Sequence, residues 1–226
     1  MAASFYASRE RTVARRLAAH LADWLFPVAC LGCGNALAGS EPLHLCLSCR
    51  SRLGNPIVDP LDHPRMALWA YQPPIDAVIR ALKFRRLDYL GRHLAAELAG
   101  AFGPALGEID LVVPIPLHWR RRLSRGFDQA ERIARPLADR LDLPFARALS
   151  RRRATRAQTR LGRPERLANL RGAFAVPRPE VVAGRRVLLV DDVATTGATL
   201  SAAAEALAGA GTRAVASLVA ARTPAD

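Results

Sequence analysis

The stretch Arg186 to Leu200, RVLLVDDVATTGATL, constrains this chain more than any other: an apolar strand runs straight into two carboxylates and a threonine-rich turn. Val187, Leu188, Leu189 and Val190 form an unbroken apolar run, the pattern of a parallel strand covered on both faces. Gly197 can take backbone angles closed to other residues, and the Ala- and Leu-rich stretch Ser201 to Ala208 predicts a helix leaving the turn near Ala198. Arg213 to Ala220, RAVASLVA, follows a Gly-Ala-Gly stop and reads as the next strand. The resulting β-α-β unit calls for an α/β fold with a parallel sheet flanked by helices.

In such a unit ligands sit beyond the carboxyl end of the strand. The free amides of the helix start and the hydroxyls of Thr195, Thr196 and Thr199, with Ala194, Gly197 and Ala198 completing the turn, suit a dianionic phosphate. A carboxylate only accepts hydrogen bonds, so Asp191 and Asp192 match the vicinal hydroxyls of a ribose rather than phosphate oxygens. Each such charge-assisted bond is worth about 1.5–3 kcal/mol. The two halves together predict a site for ribose 5-phosphate. An acidic loop, or a carboxylate pair holding a metal directly, would need neither three threonines nor a glycine so soon after the acids.

A second strand is predicted at Asp110 to Pro114, leading into Ile115, Pro116 and the basic run Trp119 to Gly126. Its exit can bring Arg120, Arg122 or Arg125 to a pyrophosphate, whose oxygens fit the guanidinium fork; solvated arginines, or arginines on nucleic acid, are the equal alternative. Phe127 to Leu141 has helical spacing, with Gln129 in its first turn facing the ligand and Pro136 expected to kink or divide it. Upstream, a Pro-rich connector at Asn55 to Pro64 precedes a strand at Met66 to Tyr71 and helices at Ile75 to Lys83 and Asp88 to Ala99. Lys83 and Arg85, at the exit of the first of these helices, are further cations for the site or for its solvated rim.

Two Cys-x-x-Cys pairs, Cys30 with Cys33 and Cys46 with Cys49, hold all the cysteines of the chain. Brought together they offer tetrahedral sulfur coordination, most simply of structural zinc. Disulfides, iron–sulfur ligation and redox thiols are the alternatives. His44 reads as a neighbour rather than a ligand.

A formal net charge of +13 favours polyanions in general, with arginine clusters at Arg120 to Arg125 and Arg151 to Arg166. No aromatic residue interleaves with either cluster to stack on bases. Arg147 to Arg171 is too polar for a core element and reads as a long connection able to close over an anionic ligand; Phe174 to Val176 then returns to the edge of the sheet. Arg9 to Leu25 reads as a basic amphipathic helix, and no run is long and apolar enough to span a bilayer. The expected location is the cytoplasm, with that helix able to rest on the inner membrane.

The segment Arg186 to Leu200 resembles the 5-phosphoribosyl 1-pyrophosphate (PRPP) loop of type I phosphoribosyltransferases. Paired CxxC units, LKFRR at 82–86, PIPLHWRRRLSRGFDQA at 114–130, TRAQ at 155–158 and ERLANLRGAF at 165–174 extend the likeness to the ComF/GntX family of phosphoribosyltransferase-like proteins. The resemblance implies a type I phosphoribosyltransferase-like core at 61–226 and a small zinc module with its helix at 1–60. It further implies that Asp191 and Asp192 meet the ribose hydroxyls, that Ala194 to Thr199 wrap the 5-phosphate, and that magnesium is held mainly by the pyrophosphate and the sugar. Transfer to an unidentified acceptor follows if the site turns over. The alternative is a non-catalytic accessory of DNA uptake, with single-stranded DNA and a competence helicase as partners. Position 128 is Asp where the family commonly has Asn.

Overall fold

A computed structural model of the chain describes residues 28–59 except 38 and 40, 64–152 except 86, and 172–224, and leaves out the side chain of Arg120. The predicted helix at 9–25, the TRAQ motif and most of the long basic connection lie outside the described residues.

Five strands build the main sheet in the order β1-β2-β7-β6-β3: β1 (Ile57–Asp59), β2 (Arg65–Ala70), β7 (Ala214–Arg222), β6 (Arg186–Ala194) and β3 (Leu111–Pro114). All neighbours are parallel except β1, which pairs antiparallel with β2 at the edge. Residues 57–59 are thus a strand and not part of a connector, and Asp59 of β1 ion-pairs with Arg222 at the far end of β7. Val187, Leu188, Leu189 and Val190 are fully buried, as a strand covered on both faces requires.

Alternation along the strands sorts the core into two layers. Leu188 and Val190 face α2 (Ile75–Phe84), α3 (Leu90–Phe102) and α5 (Gln129–Leu141), while Val187 and Leu189 face α6 (Ala198–Gly209). The basic run after β3 forms a short helix, α4 (Trp119–Arg125). Pro136 lies inside α5, which continues unbroken. Phe174 does not return to the main sheet: β5 (Phe174–Ala175) pairs antiparallel with β4 (Ser150–Arg151) as a separate hairpin.

The four-cysteine knuckle, with its single-turn helix α1 (Leu47–Arg50), shares the first core layer. Leu43, Leu45, Cys30 and Cys49 are buried in the same cluster as α2 and α3. Arg50 is ion-paired with Glu97 of α3 at 2.6 Å, and His44 Nε2 lies 3.0 Å from the Tyr89 hydroxyl.

Candidate functional site

β6 outruns its neighbour: β3 pairs with it only as far as Pro114 opposite Val190, so Asp191 to Ala194 have an open edge on that side. The acids lie within the strand rather than after it. Asp192 turns to the layer of α2 and α5, where Lys83 and Gln129 meet it, and the Asp191 carboxyl stays within hydrogen-bonding reach of the Asp192 carboxyl.

Asp192 is buried and anchors a small network. Lys83, in the last turn of α2, forms an ion pair with Asp192 Oδ2. Gln129 Nε2 donates to Asp192 Oδ1 at 3.4 Å, and the Arg125 guanidinium donates to Gln129 Oε1 at 2.5 Å. Two of the sequence-predicted ligand residues, Lys83 and Gln129, thus meet at one carboxylate, and Arg125 joins them through Gln129. Asp191 is half-buried, and burial together with the adjacent Asp192 carboxylate holds its carboxyl well above the usual aspartate range. Burial also pushes the Arg151 guanidinium down, while Asp191 supports its charge from the hairpin side.

The turn beyond the strand takes the form its sequence demands. Gly197 has φ 74° as it caps α6, and the Ala198 amide lies 3.5 Å from Thr196 Oγ1. One residue escaped sequence reasoning: Arg65, the first of β2, donates to Ser201 Oγ at 2.7 Å, and its guanidinium lies where a Cβ on Gly197 would meet it at 2.5 Å. Arg65 and Ser201 are 136 residues apart, and an arginine at a strand start carries no signal of its own.

Arg85 and Arg122 make no contact with Asp191 or Asp192 among the described residues, and Arg122 lies in a separate groove. Asp128 neither approaches the acids nor faces solvent. It accepts from the Leu117 amide at 2.7 Å and caps α5 through the Ala130 amide at 3.1 Å, tying the β3 exit to that helix. At the rim, tertiary structure supplies what the linear arginine cluster lacked. Phe84, Trp119 and Leu123 are 71%, 57% and 75% exposed, and Arg125 lies 5.2 Å above the Phe84 ring.

The sulfurs of Cys30, Cys33, Cys46 and Cys49 all lie within 4.8 Å of one another, with Cys33 and Cys46 3.7 Å apart. A tetrahedral zinc with bonds of about 2.3 Å places its sulfurs about 3.8 Å apart, so the cluster fits that metal. Burial opposes ionisation of Cys30, but the amides of Cys46, Cys33 and Gly32 outweigh it and bring the thiol down to about 6. Arg52 donates to Cys49 Sγ at 3.1 Å, and Gly32 leaves that sulfur room that a Cβ would occupy at 2.8 Å. His44 stays outside the cluster, beside Tyr89.

Residues 125–226, which include β6, its turn, α6 and β7, match the phosphoribosyl transferase domain family. The chain carries a phosphoribosyltransferase-like domain. It is 36% identical over 143 residues to the DNA utilization protein YhgH of Escherichia coli K12, an alignment covering 61% of this chain and 62% of that protein. Competence protein F of Haemophilus influenzae is 35% identical over 139 residues, 58% of this chain and 60% of that protein. The chain therefore spans less than two thirds of the length of either relative. Of solved structures, the glutamine PRPP amidotransferase from B. subtilis aligns at 24% identity over 65% of this chain and 28% of that one, with a TM-score of 0.39, too low to carry an argument. Among the described residues no helix is long and apolar enough to cross a membrane.

Proposed function

We propose that the chain is a non-catalytic accessory protein of DNA uptake or utilization that retains a transferase fold and binds single-stranded DNA along the rim of its crevice. Exposed Phe84 under Arg125, and exposed Trp119 on the short helix that carries Arg121 and Arg125, carry this reading, because exposed rings take bases by stacking while guanidinium groups take the phosphates. The names of the two relatives, which speak of DNA utilization and competence, support it. Phe84→Ala with Trp119→Ala should weaken binding of a labelled oligothymidylate by about tenfold or more, since each stacked base is worth about 1–3 kcal/mol. Undiminished binding by that folded variant overturns the reading.

The open edge of β6, with its two acids and the glycine turn beyond them, favours a second reading, in which it binds PRPP or a related ribose phosphate. Asp191 and Asp192 would meet the ribose hydroxyls, and Ala194 to Thr199 would wrap the 5-phosphate. Because Lys83 and Gln129 already occupy Asp192, the described residues offer no carboxylate cage there; Mg²⁺ would enter with the ligand's own pyrophosphate. When bound it would neutralise the leaving group of a displacement at ribose C1, a role that Lys83 and Arg125 share by position. Calorimetric titration with PRPP and Mg²⁺ tests this reading: Asp191→Asn with Asp192→Asn should abolish saturable binding while zinc content and folding persist. Unchanged binding removes the site assignment, and pyrophosphate release with a panel of amines and bases decides whether the site turns over.

A further inference from the structure

On the outward side of α5, away from the crevice, lies a cavity of about 510 Å³ walled by Arg92 of α3, Arg122 of α4, Arg132 and Arg135 of α5, and Arg147. Five guanidinium groups around one cavity repel one another unless anions share the space. Three carboxylates line it as well, and each already has partners: two neutralise cavity arginines and one caps backbone amides. Asp88 pairs with Arg132 at 3.1 Å, Glu131 takes both Arg147 and, at 3.8 Å, Arg135, and Asp128 is spent on the amides of Leu117 and Ala130. Arg92 and Arg122, exposed on two different helices, form no ion pair within 4 Å among the described residues, although the charge of Arg122 reaches Glu131. Among the described residues no side chain of the cavity is hydrogen-bonded or ion-paired to Asp191 or Asp192, although Gln129 in the first turn of α5 reaches Asp192 from the same helix.

We infer that this cavity is a phosphate-binding site, separate from the ribose-phosphate site proposed above, in which Arg92 and Arg122 take the phosphoryl oxygens. The guanidinium fork suits phosphate, and the paired arginines around it hold the surrounding potential positive. Successive phosphates of a single strand and the phosphates of a free nucleotide present the same chemistry to it. The site goes beyond the rim described above, since it uses neither Phe84 nor Trp119.

The test compares the full-length chain with Arg92→Gln plus Arg122→Gln, using a labelled oligothymidylate across salt concentrations and, separately, thymidine diphosphate by calorimetry. If a strand occupies the site, oligonucleotide affinity falls about tenfold or more, and the slope of log affinity against log salt drops by about 2. If a nucleotide occupies it, saturable diphosphate binding is lost and strand binding is unchanged. A folded double variant that binds both probes as tightly as the parent overturns the inference. Phe84→Ala with Trp119→Ala, run in parallel, separates this outcome from failure of the rim: loss of strand binding there, with both probes unaffected by the cavity changes, leaves the rim standing and the cavity refuted. Single Arg92→Gln, an exposed change, repeats the comparison should the double variant fold poorly.

Discussion

Gly91 of α3 lies against the backbone carbonyl of Arg132 in α5, so closely that a Cβ at position 91 would sit 2.4 Å from that oxygen. The proline four residues further on explains why this carbonyl is available. Pro136 has no N–H to return to Arg132 within the helix, and α3 packs its glycine on the place where that bond is missing.

Gly91→Ala should therefore force the two helices apart and cost about 1–3 kcal/mol, or more where the backbone cannot shift. Gly100, on the same helix, has nothing within 4 Å of its Cβ position, so Gly100→Ala should be neutral or stabilise by up to about 1 kcal/mol. Urea denaturation of both variants checks the contrast, and equal effects would refute the contact.

Gly197→Ala meets two obstacles, a φ of 74° and the Arg65 guanidinium. The backbone part alone should cost about 1–2 kcal/mol. Adding Arg65→Ala should relieve the steric part and leave the backbone part, so the double variant should be less destabilised than the sum of the two single changes. A double-mutant cycle on denaturation midpoints measures that coupling; strict additivity would show that the arginine does not brace the turn.

Burial pushes the Asp128 carboxyl up, with the amides of Leu117, Glu131 and Ala130 opposing it only in part. Between the ordinary aspartate value and the raised one the folded chain holds the extra proton, so stability falls as pH rises through that window. Asp191 contributes with the same sign. Asp128→Asn keeps one accepting oxygen for the helix cap, gives up the acceptor of the Leu117 amide and removes the ionisation. Its denaturation midpoint should vary less with pH than the parent's; Asp128→Ala, which loses the cap as well, should cost about 1 kcal/mol more than the Asn variant. A neutral-pH loss in the Asn variant as large as in the Ala variant would contradict this account.

Cys30 and Cys49 are buried with Leu43 and Leu45 in the layer that also holds α2 and α3. Removing the metal should therefore lower the unfolding temperature of the whole chain instead of releasing a loop from an unaffected core. Each 1 kcal/mol lost should shift the midpoint by about 2–4 °C for a chain of this size. Cys33→Ser and chelator treatment, followed by zinc analysis and thermal melting, check it; an unshifted main transition after zinc loss would refute the coupling.

The β-α-β unit, its glycine turn and the four-cysteine cluster were legible in the sequence, because each depends on local pattern: apolar runs, a positive φ, paired thiols in short turns. The helices at 75–84, 90–102 and 129–141 were legible for the same reason, through their spacing. Less visible was where β6 ends, since acids inside a strand look like a loop until the neighbouring strand β7 is seen to keep pairing with them as far as Ala194. Lys83, Gln129 and Arg125 could be named as cations and donors, but their convergence on Asp192 depends on how α2, α4 and α5 pack around the sheet. Arg65 at Ser201, Phe84 under Arg125, and Gly91 against Arg132 join residues far apart in the chain. Periodicity and motif spacing report on the next few residues, whereas these contacts are fixed by the burial of two apolar layers on one sheet, and only the folded chain brings them together.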